Sequence, residues 1–141
     1  MSRHLLIVLV GLVAGTLLGC SPIASRERMK TRIAESVGEE QWSNTFLYGG
    51  QVGRESGADL AFARSLADEL APYLRVTFYS GLAHTAPWDV EHLDAQLSTI
   101  DTHIEEGHRP SIWTGLLIRY TIVHRGDPEL VLPFAESLSK R

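Results

Sequence analysis

Between Val90 and Ile104 the large apolar residues fall at Val90, Leu93, Leu97, Ile100 and Ile104, in steps of three and four. Such steps line up along one side of an α-helix and scatter over both faces of a strand. Glu91, Asp94, Asp101, Glu105 and Glu106 occupy the other faces. The stripe is therefore narrow, and suits a helix packed on one or two neighbours rather than one buried all round. Thr85-Ala86-Pro87-Trp88-Asp89 supplies a start, with proline at the first helical position and aspartate in the first turn, and Gly107 supplies a stop.

The same rule reads other segments. Met29, Ile33 and Val37 share a face behind Ser25, which suits an N-cap. Phe62, Leu66 and Leu70 share one behind Asp59, and Pro72 stops or bends that helix. Leu130, Phe134 and Leu138 share one behind Asp127-Pro128-Glu129, with Pro133 set to kink or split it. From Ile112 to Val123 apolar residues fall nearly all round, which predicts the central helix, with Gly115 at a close crossing. The β-branched end of that segment leaves a strand as the alternative.

Two segments resist the rule. Gly49, Gly50 and Gly53 interrupt any helix running on from Glu39, so a flexible or tightly turned connection is expected there, with 45–48 as a short strand or a helix end. Residues 74–79 alternate like a strand but have no evident partner, so the balance goes to helical or irregular. The expected fold is all-α, a compact small domain of about five short helices with minor strand content at most.

The first twenty residues read MSRHLLIVLVGLVAGTLLGC. Arg3 precedes an uncharged run from Leu5 to Leu18, the length of an export-signal core and short of the roughly 20 apolar residues of a membrane span. Leu17-Leu18-Gly19-Cys20 resembles the lipobox of bacterial lipoprotein signal peptides, with Leu18 a less usual choice before the small residue. That resemblance covers residues 1–20 only. It implies that Cys20 carries the lipid and becomes the mature amino terminus, and Ser21 behind it resembles the pattern of outer-membrane-destined lipoproteins. The expected organisation is a signal peptide at 1–19, a lipidated cysteine and short tether at 20–24, and one helical domain at 25–141.

The chain has 13 basic and 17 acidic residues and a single cysteine. Without residues 1–19 the side chains sum to 12 − 17 = −5, which argues against a general nucleic-acid binder. No disulfide within the chain is available to hold its core. A five-residue tether reaches at most about 17 Å, so the domain stays near the bilayer. Arg26, Arg28, Lys30 and Arg32 would then meet lipid headgroups; the alternative is a solvated face partly neutralised by Glu27 and Glu35.

Chemistry-bearing patterns are weak. GGQVGRESG lacks the lysine of a phosphate loop and follows no clear strand. His103, Glu106 and His108 are the nearest approach to a metal set, and no HExxH or paired-cysteine pattern occurs. Ser80, His84 and Asp89 lack the nucleophile-elbow pattern, and the paired carboxylates read as solubilising runs. No catalytic, metal or cofactor residue is expected, and the chain is not expected to be an enzyme. Trp42 and Trp88, near helix ends, are the candidates for contact with a partner or with the lipid interface.

The expectation is a periplasm-facing, lipid-anchored accessory protein of the outer membrane that binds another envelope component, for example as a pilot-like protein for a secretion assembly. The alternatives are an exclusion or immunity lipoprotein, and a small envelope enzyme or carrier of lipid or cell-wall fragments. A homo-oligomer is compatible with all of these.

Overall fold

The structure, a computed structural model, describes residues 21–57 and 59–141. It contains α1 (Pro22–Glu35), α2 (Gly38–Ser56), α3 (Leu60–Asp68), α4 (Arg75–Thr85), α5 (Leu93–His103), α6 (Arg109–Val123) and α7 (Pro128–Ser139). Two 3-10 turns, Pro72–Leu74 and Glu106–His108, lead into α4 and α6. This corrects the expected fold: there are seven α-helices rather than about five, and no strand among the described residues.

The two extra helices are the segments the periodicity left open. Residues 45–48 lie inside α2, which runs unbroken through Gly49, Gly50 and Gly53. Each glycine costs a helix interior about 1 kcal/mol against alanine. What offsets it is contact: a Cβ on Gly49 would run into the Phe78 carbonyl, one on Gly81 into the Phe46 carbonyl, and one on Gly53 would stand 2.7 Å from the Leu82 carbonyl oxygen. Residues 75–79 open α4 after the Pro72–Leu74 turn, because Phe78, Tyr79 and Leu82 are needed together in the core and only helical spacing buries all three.

α4, not α6, is the central helix. It lies between α2 and α6, with α1 against α2, α7 against α6, and α3 and α5 packed behind. α2 and α4 run the same way: Trp42 meets Tyr73, Tyr48 meets Phe78, and Gly53 meets Ala86. α6 follows α4, from the His108–Tyr79 ring contact at its start to Gly115 against Ala83. α1 runs opposite to α2, with Ser25 accepting from Gln51 at 2.7 Å and Gln41 donating to the Ile33 carbonyl at 3.1 Å.

Three boundaries differ from expectation. α1 starts at Pro22 behind Ser21, because proline suits the first helical position and the Ser25 hydroxyl is taken by Gln51. α5 starts only at Leu93: the Trp88 indole donates to the Ala83 carbonyl at 2.8 Å, and the Asp89 carboxylate accepts from the Glu91 and His92 amides, holding that segment in a turn. α7 continues through Pro133 without splitting.

Candidate binding surfaces

The four cations of α1 do not form one cluster. At 100° per residue Arg26 and Lys30 share one side and Arg28 and Arg32 the other. Arg26 pairs with Glu55 at 3.5 Å and lies over the Phe62 ring, and Lys30 pairs with Glu27 and Glu69. The hydrogen bonds that the Lys30 ammonium donates to Glu69 and then to Glu27 hold its pKa well above the usual lysine range. These two cations tie α1 to α2 and α3. Arg28 and Arg32 are on the exposed side.

The two tryptophans differ as sharply. Trp88 is 4% exposed, and its indole N–H is satisfied by Ala83, so it packs as core. Trp42 is 40% exposed and meets Tyr73 edge-on, while the Tyr73 hydroxyl donates to Gln41 at 2.9 Å. Trp42 opens a surface that the periodicity did not flag. Leu47, Val76, Ile118 and Ile122 are also exposed on the outer parts of α2, α4 and α6. Between α4 and α6 lies an open cavity of about 290 Å³, walled by Ala86, Trp88, Gly115, Ile118 and Ile122, with His84 and Arg119 at its margin. Cys20 lies outside the described residues.

A second cavity, of about 320 Å³, lies between α6 and α7, lined by Pro110, Trp113, Leu117, Leu138 and Arg141. The Tyr120 and Phe134 rings meet at 4.5 Å, tilted, along the same seam. The Trp113 indole N–H is buried without an acceptor. This cavity lies on the α7 side of α6, whereas α1 lies on the other flank, against α2, and begins beside Gln51 and Glu55.

No family model, curated protein or solved structure matches this chain.

Ser80, His84 and Asp89 are not linked through hydroxyl, imidazole and carboxylate. The Ser80 hydroxyl donates to the Val76 carbonyl at 2.9 Å, His84 Nδ1 bonds the Ser80 carbonyl at 2.7 Å, and Asp89 bonds His92 at 2.9 Å. The His92 hydrogen bond, first among its causes, holds the Asp89 carboxyl below the usual range. His108 turns its ring edge to Tyr79, and both of its ring nitrogens are buried without partners. Among the described residues, no group of three or more histidine, cysteine, aspartate or glutamate side chains could hold a metal ion, and no helix is long and apolar enough to cross a membrane.

Sequence reasoning missed Leu47, Val76, Ile118 and Ile122. A signal was present: residues 41–53, 76–85 and 110–118 contain no lysine, arginine, aspartate or glutamate. Reading each segment alone hid that the three lie side by side.

Proposed function

We propose that this chain is a lipid-anchored, non-catalytic accessory protein of the bacterial envelope, which holds another envelope protein close to the membrane. The observation that carries the reading is the spacing between anchor and domain. Cys20, in its Leu-Leu-Gly-Cys setting, precedes the first helical residue, Pro22, by two positions. An acyl group there would fix a rigid helix to the bilayer with only Ser21 between them. One acyl chain binds marginally and two or more bind firmly, at about 0.8 kcal/mol per buried methylene.

The partner contact belongs in the α6–α7 cavity, on the flank of the bundle away from α1. Its occupant is an apolar side chain from an extended or helical segment of the envelope partner. The space admits one or two such side chains, and Leu117, Leu138 and Trp113 supply apolar walls. A pilot-like escort of an outer-membrane assembly subunit is one form of this function, with the periplasmic side of the outer membrane as its place.

Two measurements test the reading. Cys20→Ser should remove the acyl mass and release the protein from the membrane fraction; unchanged fractionation with an unmodified sulfur on the native protein sinks the anchor. A photo-crosslinking side chain at Ser139 should capture one envelope protein in intact cells, and Thr114→Arg at the cavity rim should abolish that product. A product that survives both Thr114→Arg and Leu117→Glu places the partner elsewhere.

A further inference from the structure

The outer sides of α2, α4 and α6 form an uncharged surface that no helix covers among the described residues. On α4, Val76, Ser80 and His84 follow one another at four-residue intervals, on the side turned away from the buried Phe78 and Leu82. On α2, Trp42 and Phe46 form the neighbouring strip, and the Phe46 ring meets the His84 ring at 5.4 Å. On the other flank His84 shares a cavity with Ile118 and Ile122 of α6. The hydroxyls are already satisfied within the layer: Ser80 donates to Val76 and Thr85 to the Gly50 carbonyl at 2.8 Å. Such hydroxyls leave water at little cost.

Charge is distributed around this surface, not on it, and carries both signs: Glu39 and Glu40 are exposed in the first turn of α2, just before Trp42. Arg54 lies along the edge of the surface, one guanidinium nitrogen 3.8 Å from where a Gly50 Cβ would be, and Arg119 borders the α4–α6 cavity. Behind the layer, from Asp89 to Glu106 around α5, there are six acidic residues and no lysine or arginine, with Asp101 and Glu105 paired to Arg109, Arg141 and Arg64 of other elements.

We infer that this surface rests on the bilayer, with Trp42, Leu47, Val76, Ile118 and Ile122 in the interfacial region and Arg54 and Arg119 among the headgroups. The inference rests on the lipid-anchor reading. It names a lipid surface rather than a protein because of where the chain enters the domain. α1 lies antiparallel against α2, with its first turn beside Gln51, so the attachment point emerges at the flank of this surface. Two residues span about 7 Å, less than the diameter of a helix at about 10 Å. An uncharged face with an exposed tryptophan and arginines at part of its margin is the pattern of proteins that lie on a membrane, and an anionic leaflet disfavours the side rich in carboxylates. Of the four cations expected at lipid on α1, Arg26 and Lys30 are committed to carboxylates; Arg28 and Arg32 stay exposed, and Arg54 and Arg119 border the surface itself.

The test uses the full lipidated protein in phosphatidylethanolamine–phosphatidylglycerol vesicles carrying brominated acyl chains. A fluorescent label is placed through Leu47→Cys or Ile118→Cys on the surface, and through Glu91→Cys or Glu136→Cys away from it; acylation protects Cys20 from labelling. Quenching several-fold stronger at Leu47 and Ile118 than at Glu91 and Glu136 supports the inference. Equal quenching at all four positions of vesicle-bound protein overturns it and leaves the anchor standing. So does shielding of Leu47 and Ile118 from aqueous iodide without lipid quenching, since a protein then covers the surface. A native protein with no acyl mass on Cys20 and no vesicle association overturns the anchor and this inference together.

Discussion

Gly49 of α2 lies against the backbone carbonyl of Phe78 in α4, so close that a methyl group would overlap the carbonyl oxygen. Its neighbour Gly50 has more room: the nearest atom to its missing Cβ is a methyl carbon of Thr85 at 3.4 Å. Gly49→Ala should therefore force α2 and α4 apart and cost about 2–4 kcal/mol. Gly50→Ala should be neutral or stabilise by up to about 1 kcal/mol through helix propensity. Urea denaturation of the two variants measures both; equal effects would contradict the packing of α2 on α4.

Tyr48 is fully buried, its ring 5.4 Å from that of Phe78, and its hydroxyl has no hydrogen-bond partner. Burial pushes the phenol pKa up, against the opposing pull of Lys30. Tyr48→Phe keeps the ring and removes an unsatisfied polar group, so it should stabilise by about 1 kcal/mol. Clear destabilisation in thermal melts would mean that the hydroxyl has a partner in solution.

Burial also raises the Tyr79 phenol, to about 12. An unfolded tyrosine ionises near pH 10, roughly. Between those values the folded chain holds a proton that the unfolded chain has lost, so stability falls as pH rises. Lys30 acts in the same direction: its pKa is raised by Glu69 and Glu27, so its contribution is complete below the unfolded lysine pKa and is lost as pH rises through the folded one. Stability measured from pH 9 upward should decline, and Tyr79→Phe should flatten that decline. An unchanged slope in the variant would show that Tyr79 ionises freely in the fold.

Pro133 lies inside α7 and cannot donate to the Glu129 carbonyl, four residues back. Its side chain is exposed, so no packing compensates. Pro133→Ala should restore the bond and stabilise the protein by about 1–3 kcal/mol. Asp127→Ala should do the reverse, by about 1 kcal/mol, because the Asp127 carboxylate accepts from the Glu129 amide at 3.0 Å. Calorimetry of the two variants should give shifts of opposite sign; shifts of the same sign would contradict this account of the helix start.

Much of the helical reading needed only local rules. Asp59 caps α3 by accepting from Phe62 at 3.0 Å, and Leu97, Ile100 and Ile104 are buried in step with their spacing. Gly115 does mark a close crossing, against Ala83. What misled was residue type without context. Glycines in α2 looked like breaks because propensity is counted per residue, while their gain lies in a helix distant in sequence. The apolar surround of α6 looked like central burial, but Ile118 and Ile122 are exposed and Phe78 and Leu82 of α4 take the centre.

The sequence by itself determined the amphipathic stripes, the proline and aspartate helix starts, and the uncharged stretches at 41–53, 76–85 and 110–118. These follow from bond geometry and side-chain chemistry within a few residues. Only the tertiary structure decided that the three uncharged stretches lie side by side, that Arg26 and Lys30 pair inward, and that Trp88 is buried while Trp42 is not. Each of those depends on which backbones approach one another, and glycine contacts far apart in the chain set that approach.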